Sequence, residues 1–522
     1  MNNKWKRIIL WSSFFLILTC SVITTWHISN NLLDDDASAE LVLAKCLYDE
    51  KSLISKDFVY STEFSINNQI IYAFLFSIFS DWTLVRFWGT LIIQLIALAS
   101  LVFLLRSAGL SAESILFGCV LFLLPYCVAY GRIVLYHCYY TPFVSYAFLI
   151  VGLFFRALRQ EQSKLILAVL CILCIWSCTN GVRIFVIVML PLCGLGFLYM
   201  LLTKNRKYFI LSLVCAAGGL IGLFLNALIL REIHIEVEYN RKLAFKGVSD
   251  AIVVLFAILK QFGYRSLIDK SSFLGIMSLC GIIPAVFGFY TSGKSLLCEK
   301  ELCRFTLKGM LLVQIGLSVG IFLFYALPYN SRYDYSRYLV LASVWMIPLF
   351  CCVFSERKSH LFRLSGIAAA AVFVVNGLIN LCFFNDPELF KQEYDGLIYT
   401  STGVTQEYSA VVDFIRYSDY DLGYAVYDPN VLTEMLDGFP VVGIDKHENG
   451  FLYRDQLSRK SFRTMPSQKA FILFNYVDAL SFRALPISEG SELVLNVPEG
   501  FYLYELKDPQ SFQLYLMNES KR

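Results

Sequence analysis

The chain has 522 residues, of which 57% are hydrophobic and only 16% charged, and its mean hydropathy is +0.60. Soluble domains are about 25% charged, so this composition excludes an ordinary soluble protein. A formal net charge of +3, with no basic stripe carrying interleaved aromatics, argues against a nucleic-acid partner.

The first apolar run spans residues 8–26, and Trp11 to Trp26 carries no charge. Lys4, Lys6 and Arg7 precede it, which places the N-terminus in the cytoplasm. It lacks a small-residue cleavage site and reads as a retained helix, not a removed signal peptide. Asp34, Asp35 and Asp36 follow at once, on the outer face. Carboxylates beside lipid headgroups add nothing to anchoring, so the cluster suggests a site for protons, cations or polar substrates. Leu41, Ala44 and Leu47 recur at helical spacing, predicting a helix over Ala37–Leu47. One aspartate would suffice to cap that helix; three in a row favour a site. Glu40 lies four residues after Asp36, on the same helix face, where like charges weaken a helix.

About eleven spans are expected: 8–26, 83–105, 112–129, 139–157, 165–179, 182–203, 208–230, 272–291, 309–327, 337–354 and 364–384. Basic groups around Arg106, Arg156, Lys204, Lys300 and Arg357 then fall on alternate loops, inside. The outer face receives loops 27–82, 130–138, 231–271 and 328–336, the turn at residues 179–182, and a tail from Asn385. Within 27–82, Ile66–Phe79 is apolar but too short to span and is expected in the interface, and Ala251–Leu259 reads the same way. Tyr60-Ser-Thr-Glu63, followed by Asn67, Asn68 and Gln69, combines aromatics with amides and hydroxyls in a way that suits a sugar; an ordinary polar loop is the other reading. Arg86, Arg132, Arg183, Arg332 and Arg337 stand at outer helix ends, against the positive-inside bias. Snorkelling to headgroups would account for any one of them. Arg337, beside Tyr338 in a tyrosine-rich stretch, is the strongest candidate for a phosphate, which arginine grips with a planar fork. His137, among Tyr136, Tyr139 and Tyr140, could assist proton transfer, although an aromatic belt explains the tyrosines equally well.

The sixteen cysteines are scattered, mostly in apolar runs, and none follows Cys382. That argues against a disulfide scaffold. Cys298 and Cys303 have no partner pair or nearby histidine, so no zinc site is expected. From about Asp386 the long apolar runs stop. Strand-like runs appear at Tyr424–Tyr427, Val441–Ile444, Ala470–Phe474, Glu492–Val497 and Phe501–Leu506, with helices over Thr405–Arg416 and Asn430–Leu436. Pro498-Glu499-Gly500 predicts a hairpin between the last two runs. The expected organisation is a polytopic α-helical membrane region, 1–384, and a small extracytoplasmic α/β domain, 385–522.

Taken together these features resemble the GT-C class of polytopic glycosyltransferases, which use polyprenyl-phosphate-linked sugars. The resemblance rests on the acidic pair Asp35-Asp36 in the first outer loop with the apolar helix behind it, a re-entering segment before Leu84-Val-Arg86, Tyr130-Gly-Arg132 after the third span, and Arg337-Tyr338 opening a late one. The tail segment Gly423–Gly438 looks like tails of uncharacterised bacterial members. A run of three aspartates departs from the usual Asp-Glu pair, and no histidine motif of the protein mannosyltransferase kind appears. The resemblance implies an inverting glycosyltransferase of a bacterial plasma membrane. Asp35 would be the general base and Asp36 its neighbour. Arg337, with Arg86 or Arg132, would bind the donor phosphate, while Asp34, Glu40, Glu63, Tyr338 and His137 line the substrate site. No cofactor is required, although three aspartates could hold one divalent cation. The implied partners are a polyprenyl-phosphate sugar, a cell-envelope acceptor, membrane lipids, a donor synthase and a flippase. A polysaccharide polymerase or ligase is the alternative, and a transporter a more distant one.

Overall fold

A computed structural model describes residues 3–60, 66–159, 164–233, 282–299, 301–324, 340–341, 343–356, 360–385, 405–426, 428–447, 450–454, 457–465, 467–497 and 500–520. The chain packs as two compact units. One draws on Met1–Thr25, Ile92–Ile229 and Asn240–Tyr399, the other on Trp26–Leu91, Leu230–Tyr239 and Thr400–Arg522.

Six helices among the described residues are long and apolar enough to cross a membrane: Arg7–Asn31, Trp82–Ser107, Thr141–Arg159, Phe185–Thr203, Arg206–Arg231 and Phe362–Phe384. Large apolar side chains such as Trp11, Phe15, Leu16, Leu220 and Phe224 stay exposed on them, as a lipid-facing surface requires. The chain is an integral membrane protein.

The expected span 112–129 is not one helix. Ala112–Leu123 and Val128–Tyr136 meet at an angle of 91°. The cause is Pro125, which cannot donate to the helix and forces the residue before it out of helical geometry; Leu124 is accordingly extended. Residues 130–136, expected in an outer loop, are helical instead, with a π-helical turn over Gly131–Tyr136. The apolar run Ile133-Val134-Leu135 drives their burial. Two further boundaries shift. Leu302–Phe324 starts seven residues before the expected 309, because Lys308, which reads as a loop charge, is buried and paired with Glu299 at 3.0 Å and Glu356 at 2.6 Å. Ile282–Cys298 runs past the expected 291, its Thr291, Ser292 and Ser295 buried inside the first unit. The Ala251–Leu259 segment lies outside the described residues.

The second unit holds a six-stranded mixed sheet of β2 (Leu422–Ala425), β3 (Val441–His447), β4 (Gly450–Tyr453), β6 (Ala470–Asn475), β7 (Ser491–Val497) and β8 (Phe501–Leu506). Their order across the sheet is β4-β3-β2-β6-β8-β7. β2 runs parallel to both neighbours, and the other pairings are antiparallel. Alternate residues feed two cores, as a two-residue period demands. Leu422, Tyr424, Ile472 and Phe474 enter one with Phe512 and Leu516. Ala425, Phe471 and Leu473 enter the other with Val411 and Ile415 of the Thr405–Arg416 helix. The run containing Phe501 pairs with β7 as the hairpin expected.

The same unit contains the segment after the first helix. β1 (Phe58–Val59) pairs antiparallel with β5 (Ser458–Arg459). Beside this short ladder, the Asp57 carboxylate accepts from Arg459 Nε at 2.9 Å and from the Ser461 N–H and hydroxyl, both at 2.6 Å. Asp35–Glu50 is a helix and so is Asn68–Phe76, inside the apolar segment read as interfacial.

Candidate active site

The acidic cluster splits into three roles. Asp34 is the N-cap of the Asp35–Glu50 helix: its extended backbone lets Oδ1 accept the N–H groups of Asp36 at 2.9 Å and Ala37 at 3.3 Å. It is 1% exposed. Asp35 and Asp36 occupy the first turn, where the helix dipole favours negative charge. Both are half-buried.

Asp35 is held from the tail. Its Oδ1 accepts the Asn430 N–H at 3.0 Å, in the first turn of the Pro429–Met435 helix. Its Oδ2 accepts from Arg454 Nη1, also at 3.0 Å. Burial pushes the Asp35 carboxyl above the usual carboxylate range; Arg454 opposes the rise, Asp36 adds to it and the Asn430 N–H opposes it. A carboxylate has about four lone-pair sites, so these bonds leave room for a substrate proton.

Glu40 is half-buried and accepts a long 3.3 Å hydrogen bond from Asn68 Nδ2. Burial raises its carboxyl to about 8, against smaller opposing contributions from Asn68 and Arg86. Glu40 is therefore protonated in the folded protein at neutral pH and ionised in the unfolded chain. Between the unfolded value near 4.5 and about 8, the folded state binds the extra proton, so stability falls as pH rises through that window. Glu40→Gln mimics the protonated acid. It is expected to melt with the wild type at pH 5 and above it at pH 8, measured by thermal unfolding in detergent; equal melting temperatures at both pH values would show Glu40 to be ionised in the fold.

Arg86 is the fifth residue of the Trp82–Ser107 helix and is 1% exposed. Its Nε and Nη2 grip both oxygens of Glu434, and Nη2 also reaches Ser38 Oγ at 3.3 Å. The fork that would straddle a phosphate thus faces a carboxylate of the same unit. Arg132 and His137 belong to the first unit, 6% and 3% exposed, on the turn that Pro125 bends. In that unit Arg183 lies over the rings of Tyr140 and Phe143, its guanidinium 4.6 and 4.9 Å from their centres. Glu63, Arg337 and Tyr338 lie outside the described residues. Among the described residues no three His, Cys, Asp or Glu side chains gather closely enough to hold a metal ion.

The structure therefore brings Asp34, Asp35, Asp36, Glu40 and Arg86 together in one unit. It adds three residues that sequence reasoning did not single out: Asn430, Glu434 and Arg454. The first two sit in the Gly423–Gly438 segment, whose likeness to other tails was the available signal. Nothing around Arg454 marks it in the sequence.

No protein-family model and no curated protein matches this chain. Solved structures do. The fold is similar to that of ArnT from Cupriavidus metallidurans in the apo state, with a TM-score of 0.57, 11% identity, and coverage of 94% of this chain and 97% of that one. The Archaeoglobus fulgidus oligosaccharyltransferase, tethered to an acceptor peptide containing the NVT sequon, aligns at a TM-score of 0.48 and 11% identity, over 96% of this chain and 74% of that one. The chain has the GT-C fold.

Proposed function

We propose that this GT-C-fold membrane protein is a glycosyltransferase that moves a sugar from a polyprenyl-phosphate donor to an extracytoplasmic acceptor of the cell envelope, with inversion. One observation supports this most: a half-buried aspartate at the start of a helix, held at both oxygens, with a carboxyl that burial raises above the usual carboxylate range. A general base works best when its pKa approaches the working pH and a third group fixes its orientation.

In the proposed reaction the acceptor hydroxyl attacks the anomeric carbon from the face opposite the phosphate. The new C–O bond forms as the bond from the anomeric carbon to the phosphate oxygen breaks. The hydroxyl proton passes to Asp35, and the polyprenyl phosphate leaves with the bonding pair. Asp36 orients the acceptor. Charge builds on the phosphate oxygens, where a guanidinium stabilises it. With the fork of Arg86 engaged by Glu434, Arg337 takes that role, and Arg132 stands second. The N-terminus is cytoplasmic and the tail extracytoplasmic, so the donor requires a synthase and a flippase before it arrives.

The test is transfer of label by the purified protein in nanodiscs, from polyprenyl-phosphate-linked pentoses and hexoses to a cell-envelope fraction. Transfer only from a diphosphate-linked oligosaccharide would instead establish a polymerase or ligase, and no transfer from either would remove the assignment. Arg337→Lys is the informative variant. Lysine keeps the charge but loses the planar fork, so turnover is expected to fall about tenfold or more, with weaker donor binding for Arg337→Ala. A headgroup-snorkelling arginine would tolerate lysine, and a wild-type rate would pass the phosphate to Arg132.

A further inference from the structure

The Arg454 guanidinium is fixed on every nitrogen. Nη1 donates to Asp35 Oδ2 at 3.0 Å, Nε to Asp445 Oδ1 at 3.2 Å and Nη2 to the Val426 carbonyl at 3.0 Å. Its backbone N–H donates to the Gly443 carbonyl at 2.9 Å. Gly443 leaves room for this: a Cβ there would stand 3.1 Å from the Arg454 Cβ and 3.2 Å from its Cδ. A planar group tied at three points has one orientation, and it presents one N–H to Asp35.

The contact is not needed to hold the first loop to the tail. The Arg86–Glu434 pair, the Asp57 contacts with Arg459 and Ser461, and the β1–β5 ladder already do that. We propose that Arg454 is a positioning residue of the reaction, fixing the Asp35 carboxylate so that its free lone pair meets the acceptor hydroxyl, and so that the base is assembled from both ends of the chain. This rests on the reading of Asp35 as the base. The charged groups around the pair are Asp36 and Glu40 on the helix of Asp35, Asp428 before the Pro429–Met435 helix, and Asp445 on β3. Arg454 is the cation paired with Asp35, and Arg86 acts on Glu40 of the same helix. Removing Arg454 takes away the charge in contact with Asp35 and raises the pH at which Asp35 ionises.

The test uses the full chain in nanodiscs. Infrared titration follows the protonated Asp35 carboxyl, identified as the band lost in Asp35→Asn. Arg454→Gln is expected to move the Asp35 midpoint up by about one to three pH units. It should slow transfer from the polyprenyl-phosphate sugar at neutral pH by about 100-fold, as a displaced catalytic group does, with donor KM unchanged. Asp35→Asn/Arg454→Gln should be no slower than Asp35→Asn. Asp445→Asn keeps an oxygen to accept from Arg454 Nε and removes only an exposed charge, worth little, so it should change the rate by less than about twofold. If the glutamine variant folds poorly, Arg454→Lys keeps the charge and loses the three-way fixation: the midpoint stays, and turnover falls about tenfold.

A wild-type midpoint and rate in Arg454→Gln, a wild-type rate in Arg454→Lys, or an equal loss in Asp445→Asn would overturn the proposal while Asp35 stands as the base. Full turnover in Asp35→Asn would remove the base itself.

Discussion

Asp35→Asn is expected to lower turnover by about 100-fold or more. Asparagine keeps the size of the side chain and loses the capacity to take a proton. Its amide nitrogen, a donor, takes the place of one carboxylate oxygen and then faces either the Asn430 N–H or Arg454 Nη1, which bond different oxygens of Asp35. Some loss of stability accompanies the change, and melting temperature and donor binding need measuring beside the rate. The comparison with Asp36→Asn is decisive. Loss of activity in Asp36→Asn with activity kept in Asp35→Asn would move the base by one residue. If both variants stay active, the two acids serve only the helix dipole, beside Asp34, which is its cap.

The second large effect is on folding. Arg86 and Glu434 are 1% and 2% exposed and joined through both nitrogens of the fork. Taking two charges out of water is costly, and the pair repays this only while both partners are present. Arg86→Met or Glu434→Leu alone strands a buried charge and is expected to destabilise by about 3–5 kcal/mol. The double variant removes both charges and should recover most of that loss, because a buried ion pair replaced by apolar groups of similar volume is often neutral. Thermal unfolding of the four proteins in one detergent checks this. If the losses simply add, the pair is not coupled. Should Arg86→Met abolish donor binding while leaving stability untouched, Arg86 belongs to the phosphate site after all.

The sequence by itself determined the properties that are local. Apolar runs and flanking charges locate membrane helices because transfer to lipid is a property of about 20 consecutive residues. The spans read at 83–105 and 364–384 are the helices Trp82–Ser107 and His360–Phe384. Strand runs at Ala470–Phe474 and Phe501–Leu506 are strands, since an alternating or continuous apolar run is a local signal too. The bend at Pro125 is local as well, because proline forces the residue before it out of helical geometry. The acidic cluster was legible as a feature, and so was the helix behind it. What each acid does was not.

Asp35 meets Arg454 across 419 positions and Arg86 meets Glu434 across 348, and no periodicity or spacing connects residues that far apart. Arg86 read as a phosphate fork because an arginine at a helix end looks the same whether its partner is a ligand or a distant glutamate. Lys308 read as a loop charge because its two carboxylates, Glu299 before the helix start and Glu356 at the C-cap of Met346–Ser355, reach it only in the fold. Tertiary structure alone decides such cases. A charge survives burial only when an opposite charge reaches it, and only folding brings that charge within reach.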